Sequence, residues 1–435
     1  VQELELRRAH RGRVGSGSAL AARGRRRRSL VTSLTLLTLG AVVLLSGLVD
    51  LPRVLSLGPI TALALLTVMY AGLAWMLWLP RPLLARAAVP VAAPLVAFMV
   101  WGFASISHYA PTVDGLQNLL VVAAFTGLVL LTAGAVPYVR RLPHSVGRML
   151  AWAAWIAVAL YAIGIAAGGW GTDVVLGPRS FAMFALLGLA WHLADWRHGH
   201  RRSLWWGIVM VLMIGASLSR LALAASLVLL PLSQISFRSV WGWLRVVLWI
   251  ALAIWLFVLA FTYVEPLRSR FVEGDVNIEV GGVAVNGSGR DEIWNTVVES
   301  YAESPWIGKG AGSANEVVKA HFVDVNHPHS DYLRILHDYG PVGLGLWIVA
   351  FAGILWKTFR AWMRADLTRA PDARVHAAAF LATVAASMVM ITDNAMVYVF
   401  VMAPLGILVG ASLGSMSESG RLGPLTASSS RLQKR

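Results

Sequence analysis

The sequence predicts an all-α polytopic membrane protein with about twelve transmembrane helices and one large extracytoplasmic loop. Three observations predict it. The 435 residues are 57% hydrophobic and only 14% charged, with mean hydropathy +0.66, where a soluble domain carries about 25% charged residues. Apolar runs long enough to cross a bilayer fall near 30–49, 59–79, 87–105, 116–136, 149–169, 179–195, 203–219, 221–237, 241–262, 341–359, 375–392 and 396–414. The charges also alternate between loops. With the N-terminus inside, the inside segments hold 28 Lys and Arg against 6 Asp and Glu, and the outside segments hold 9 against 16. This positive-inside asymmetry accounts for the net charge of +15 without a nucleic-acid partner. The 19 Trp and 9 Tyr suit interfacial belts, and the lack of cysteine excludes disulfides and thiolate chemistry.

In chain order, residues 1–29 form a basic cytoplasmic arm with nine arginines, too polar to fold alone and drawn to anionic membrane lipids. The first apolar run is too long for a signal-peptide core and lacks a small-x-small cleavage site, so it reads as an uncleaved first span. Residues 30–262 hold transmembrane helices one to nine, residues 341–414 hold ten to twelve, and residues 415–435 form a cytoplasmic tail. No internal repeat of fixed period is found.

Residues 263–340 make the long outer loop, and a loop of that length is functional or disordered. RDEIWNTVVESYAES puts Ile293, Trp294, Val297, Val298 and Tyr301 at helical spacing, and SANEVVKAHFVDV is similar. GGVAVNGSG reads as a turn or a flexible piece. Four imidazoles gather near VNHPHSDYLRILHDYGPVGLGLW: His321, His327, His329 and His337. Pro328 suits a first helical turn, Ser330 or Asn326 a cap, and Tyr332, Leu333, Leu336 and Tyr339 an apolar face. Gly340 suits the C′ position and Pro341 begins the next span. His329 then sits at a helix start, whose partial positive charge disfavours imidazolium. A neutral imidazole near pH 7 is a proton acceptor.

Outer arginines are few: Arg53, Arg179, Arg220, Arg268, Arg270, Arg290 and Arg334. Arg220 lies between two apolar runs in GASLSRLALAASL; an arginine at mid-bilayer depth costs ~2.5–3.5 kcal/mol and faces a water-filled cavity or a partner. It reads as an anion-binding residue or as a snorkelling or ion-paired one, and Arg179, at the outer start of the sixth span, has the same two readings. Arg290 is flanked by Asp291 and Glu292, so a local ion pair is an equal reading there. Guanidinium groups bind phosphate bidentately. Beside a histidine base they point to a lipid-linked diphosphate, held by the arginines as a leaving group while the histidine deprotonates an attacking hydroxyl. Neither step needs a metal or a cofactor.

These residues resemble the O-antigen ligase and O-antigen polymerase (Wzy-type) family of membrane glycosyltransferases. His329-Ser330, nine residues, Gly340, two residues and Gly343 match its signature of His, then Asn, Ser or Gln, then nine residues and Gly-x-x-Gly. His327-Pro328 and Tyr332-Leu333 match its flanks, and SLSR ending at Arg220 resembles its Ser-Arg turn. Arg290, Trp294, Pro305, Gly308 and Gly310 resemble its Arg-x-x-x-Trp…Pro-x-x-Gly-x-Gly stretch. The resemblance runs from about 203 to 359, and Ser330 stands where Asn is commoner. It implies a GT-C-like glycosyltransferase in the cytoplasmic membrane that moves a glycan from an undecaprenyl-diphosphate carrier to a glycan, lipid or protein acceptor. Transfer is inverting and metal-independent. His329 is then the general base and Arg220 and Arg290 bind the diphosphate, with Gly340 and Gly343 as structural glycines of the motif. Arg179, His327, Ser330, Tyr332 and Trp294 are candidate substrate contacts, with packing as the other reading of Tyr332 and Trp294. Ligation is the first reading; glycan polymerisation and protein O-oligosaccharyl transfer share the signature.

Two other classes compete. A metal could use His327 and His329 with His321 or Asp324, but the spacing fits no strong zinc pattern. His321 and His337 read as surface or packing residues, His108 as an interfacial one, and Asp393-Asn394 as a turn between the last two spans. Twelve spans also suit a secondary transporter. That class needs repeated halves with broken helices and intramembrane acids, and the sequence shows neither.

Overall fold

A computed structural model describes residues 32–48, 50, 86–105, 109, 112–139, 141–239, 241–272, 277–280, 283–286, 289–323 and 325–419. The basic arm, the expected span 59–79, Arg53, His108, Asp324 and the tail beyond 419 lie outside them. Among the described residues the chain is helical apart from one hairpin. In order, the helices are α1 (Thr32–Gly47), α2 (Val89–Ser105), α3 (Val113–Ala135), α4 (Leu142–Gly168), α5 (Pro178–Arg197), α6 (Arg202–Ala216), α7 (Arg220–Ser233) and α8 (Trp241–Tyr263). The outer loop adds α9 (Glu265–Val272), strands β1 (Asn277–Val280) and β2 (Val283–Asn286), α10 (Arg290–Ala302) and α11 (Ser313–His321). Then come α12 (Asp331–Thr368), α13 (Ala373–Thr392), a 3-10 turn Ala395–Val397 and α14 (Val399–Ser419).

Eleven of the twelve expected apolar runs coincide with helices, and the twelfth is the run at 59–79. Among the described residues six helices are long and apolar enough to cross a membrane: α3, α4, α8, α12, α13 and α14. Helices α1, α2, α6 and α7 are apolar but shorter. Within the stretch expected as a turn or flexible piece, Val283–Asn286 is the strand β2, Val283 pairing with Val280 and Asn286 with Asn277. Its alternating Val and Ala suit an extended chain better than a turn.

The packing core is α5, α13, α14 and α3. Helix α5 is buried from Phe181 to Ala194. Gly406, Gly410 and Gly414 lie one turn apart on α14. A Cβ at Gly410 or Gly414 would sit 2.6 Å from the carbonyl oxygens of Val129 and Ala133 on α3, the close backbone approach that small residues allow between membrane helices. Helix α8 is peripheral and buries only Gly242, Val246 and Ala253.

The long α12 is two helices joined at Gly340, whose φ 66 and ψ −172 break the helix; Pro341 then starts the second part. The break leaves the last carbonyls of the first part without helical partners. Other elements satisfy them: Lys309 N–H donates to the His337 carbonyl at 2.9 Å, Gly310 N–H to that of Asp338 at 2.9 Å, and the Trp101 indole to that of Tyr339 at 2.8 Å. A Cβ at Gly308 would lie 2.6 Å from the Tyr339 nitrogen, one at Gly340 would strike the Trp306 carbonyl, and one at Gly343 the Tyr339 Cβ. The Pro-x-x-Gly-x-Gly stretch and the Gly-x-x-Gly pair are therefore two sides of one junction, docking the outer loop on α12.

Candidate active site

Three arginines occupy the first turns of three helices. Arg179 follows Pro178 at the start of α5, behind N-cap Gly177. Arg220 opens α7 behind Ser219, and Arg290 opens α10 behind Gly289, whose φ is 66. Helix N-termini carry unpaired N–H groups and partial positive charge, so arginines there are unfavourable without an anion nearby. The three are within electrostatic reach of one another. Burial lowers Arg290 to about 10, Asp393 opposes that shift, and Arg179, Arg220 and Arg270 of α9 add to it. Arg179 and Arg270 also act on Arg220. Asp393 is the carboxylate that leads in opposing the shift of Arg290, and no ion pair of Arg290 with the adjacent Asp291 or Glu292 is found among the described residues.

His329 faces this group. It does not open the helix: it lies one residue before the N-cap, with a left-handed φ of 51. Ser330 is the cap, its Oγ accepting from Leu333 N–H at 3.3 Å, and Pro328 therefore precedes the first turn rather than occupying it. Burial, then Arg179 and Arg290, push the His329 imidazole down to about 3. Burial, then Arg334, push His327 down to about 4. Both rings are neutral at pH 7.

The loop between them is held from both sides. The Trp294 indole donates to the Pro328 carbonyl at 2.8 Å. Asn394 Nδ2 lies 3.5 Å from His329 Nδ1, at the long end of a hydrogen bond. Arg334 donates to Asn394 Oδ1 at 3.0 Å and lies 3.4 Å from Asp331. Asp331 in turn accepts from Met396 N–H at 2.7 Å. Asp331, Arg334 and Asn394 are fully buried. The buried face of the first part of α12 thus carries Asp331, Arg334, Ile335, Asp338 and Tyr339, whereas Tyr332, Leu333 and Leu336 of the expected apolar face are only half-buried. The Tyr332 hydroxyl donates to the Ser387 carbonyl at 3.0 Å, so it already serves as a packing contact.

The other histidines stand apart. His337 is buried between Ser300 and Ser313, each 3.1 Å from a ring nitrogen. Asp338 beside it accepts from Gly312 N–H at 2.9 Å and Ala314 N–H at 2.8 Å, tying down the start of α11. His321 is exposed. Among the described residues no three His, Asp or Glu side chains are grouped to hold a metal ion. Sequence reasoning missed Arg270, Arg334 and Asn394 as neighbours of the site, and took Asp393 for a turn residue. The usable signal was the Asp393-Asn394 pair itself, two polar residues between apolar helices.

Residues 205–348 match the family model described as O-antigen ligase. An O-antigen ligase of Pseudomonas aeruginosa is 32% identical over 71 residues, which are 16% of this chain and 18% of that protein. The aligned stretch is thus less than a fifth of the relative's length. The matched segment runs from α6 into the second part of α12, taking in Arg220, Arg290, Trp294 and His329.

Proposed function

We propose, from the match of residues 205–348 to the O-antigen ligase family model, that the chain is a membrane glycosyltransferase of that family taking glycan from an undecaprenyl-diphosphate carrier. The observation that carries the proposal is the set of three arginines at three helix N-termini beside a neutral, half-buried histidine. Guanidiniums and helix ends both favour a diphosphate. In the reaction, an acceptor hydroxyl gives its proton to His329 while its oxygen bonds to the anomeric carbon. The bond from that carbon to the diphosphate oxygen breaks, and the departing charge stays with Arg179, Arg220 and Arg290. A single displacement inverts the anomeric centre. The guanidiniums supply the charge stabilisation that a metal supplies elsewhere, so no metal is required.

The site lies on the extracytoplasmic side of the cytoplasmic membrane, with both termini cytoplasmic, in keeping with the basic residues of the opposite loops. The name of the Pseudomonas aeruginosa relative favours ligation over polymerisation or transfer to protein. The test uses purified protein and lipid-linked glycan extracted from a strain lacking the gene. His329→Ala should lose transfer by about 10²–10⁴-fold, the range for removing a general base, while remaining folded. Wild-type turnover in that variant removes histidine from the chemistry.

A further inference from the structure

The backbone of His329 is strained. A left-handed φ is unfavourable for a non-glycine residue, and His329 has φ 51. The peptide plane that sets this φ contains the Pro328 carbonyl and the His329 nitrogen. That plane offers a carbonyl and an N–H for anchoring, and Trp294 holds the carbonyl at 2.8 Å. Trp294 is itself fixed. Helix α10 docks through Ile293 and Val297 on Val318 of α11, and Trp294, Phe322, Val325 and Leu333 pack around this small core. Arg290 lies four residues before Trp294, which places both side chains on one face of α10. One rigid helix therefore carries the guanidinium that acts on His329 and the indole that holds the His329 peptide.

We infer that Trp294 is a positioning residue: its N–H on the Pro328 carbonyl fixes the 328–329 peptide plane and so sets His329 against Arg290. The indole orients the base and does not stack on sugar. The inference rests on the reading of His329 as the base.

Two variants test it, Trp294→Phe and replacement of Trp294 by β-(3-benzothienyl)alanine, which keeps the ring shape and puts sulfur in place of N–H. Both are assayed with the extracted lipid-linked glycan. The expected result is a kcat about 10–100-fold lower, the scale of a misplacement near 1 Å, with donor KM within about twofold. The pH profile adds a readout that lost stability alone does not move. A ring released from burial and from Arg179 and Arg290 titrates closer to an ordinary histidine, so the acid limb of kcat moves to higher pH. An unchanged kcat overturns the inference. So does a raised donor KM at wild-type kcat, which makes Trp294 a substrate contact. So does a loss of rate that only follows a loss of folded protein in the benzothienyl variant. His329→Ala in the same assay separates the two claims. If it is inactive and the Trp294 variants are normal, only this inference fails; if it is active, the reading of the base fails first.

Discussion

The two ends of the helix bundle use arginine differently. At the end away from His329, three arginines meet carboxylates from other elements. Arg238 lies 2.9 Å from Asp366 Oδ1, Arg197 3.6 Å from its other oxygen, and Arg374 3.1 Å from Asp195. Asp366 is fully buried on α12 and Asp195 ends α5, so these pairs clip helices together. At the His329 end, Arg290 feels three guanidiniums and one carboxylate, Asp393. Burying like charges together at helix N-termini opposes folding. The first set stabilises the fold, and the second makes sense as a receptor for an anion.

Of the variants that compare the two ends, Arg290→Ala has the largest expected effect. Transfer should fall by about 10²–10³-fold, as for removal of one preorganised donor, with no loss in Tm because one of several like charges is gone. A fall in Tm as large as that of an Asp366 variant would erase the distinction between the two ends. Arg290→Lys sharpens it: the charge is kept and the planar fork lost, so transfer should recover only in part.

The pH dependence of transfer by the wild-type protein tests the same field. His329 is held down to about 3, first by burial and then by Arg179 and Arg290. kcat/KM reports the free enzyme, so its acid limb should lie well below the ordinary histidine value of about 6.5. In Arg290→Ala the limb should move up. The stability sign follows. Above pH 6.5 the ring is neutral both folded and unfolded, and it contributes no pH dependence. As pH falls from about 6.5 towards 3, the unfolded chain takes up a proton that the folded ring refuses, and stability drops. A kcat/KM limb near 6.5 in the wild type, unmoved by loss of Arg290, would mean that the guanidiniums do not act on the base.

The sequence showed some of this and hid the rest for physical reasons. Apolar runs are readable because a membrane helix must be apolar along its length, and eleven of them are helices here. The break before Pro341 is readable because proline and glycine have local backbone consequences. Arg179 and Arg220 stood out through their scarcity at one set of loops. Arg334 meeting Asn394, 60 residues away, and Trp294 meeting Pro328, 34 residues away, have no local signature. Nor does the left-handed backbone of His329, imposed by contacts on either side of it. Trp294 could be picked out by its spacing from Arg290, but its hydrogen-bond partner could not.

Asp366→Ala is the counterpart test at the other end. It removes a buried carboxylate and leaves Arg197 and Arg238 facing one another. Complete loss of one partner from a buried pair costs about 3–5 kcal/mol. Arg238 is 36% exposed and Arg197 15%, so water recovers part of that, and about 2 kcal/mol is expected. Tm in detergent should fall by several degrees while transfer per folded molecule is kept. A transfer defect without loss of Tm would extend the site through the membrane.

Arg374→Lys should have the smallest effect and discriminates most finely. Arg374 is 23% exposed and Asp195 14%, so the pair is only partly dry, and Asp195 also accepts from the Ser203 hydroxyl at 2.6 Å and lies 3.1 Å from His200. Lysine keeps the charge, and the neighbours keep the carboxylate satisfied. What is lost is one directed contact and the placement of the guanidinium 5.8 Å from the centre of the Trp191 ring; a partly exposed cation–π contact is worth about 0.5–1 kcal/mol. The expected change is below about 1 kcal/mol with no change in transfer. Arg290→Lys makes the same chemical exchange among guanidiniums that act on one another, where the proposed reading has the fork grip a phosphate. If the two lysine variants behave alike in both Tm and transfer, the two ends do not differ in kind, and the anion receptor loses its strongest support.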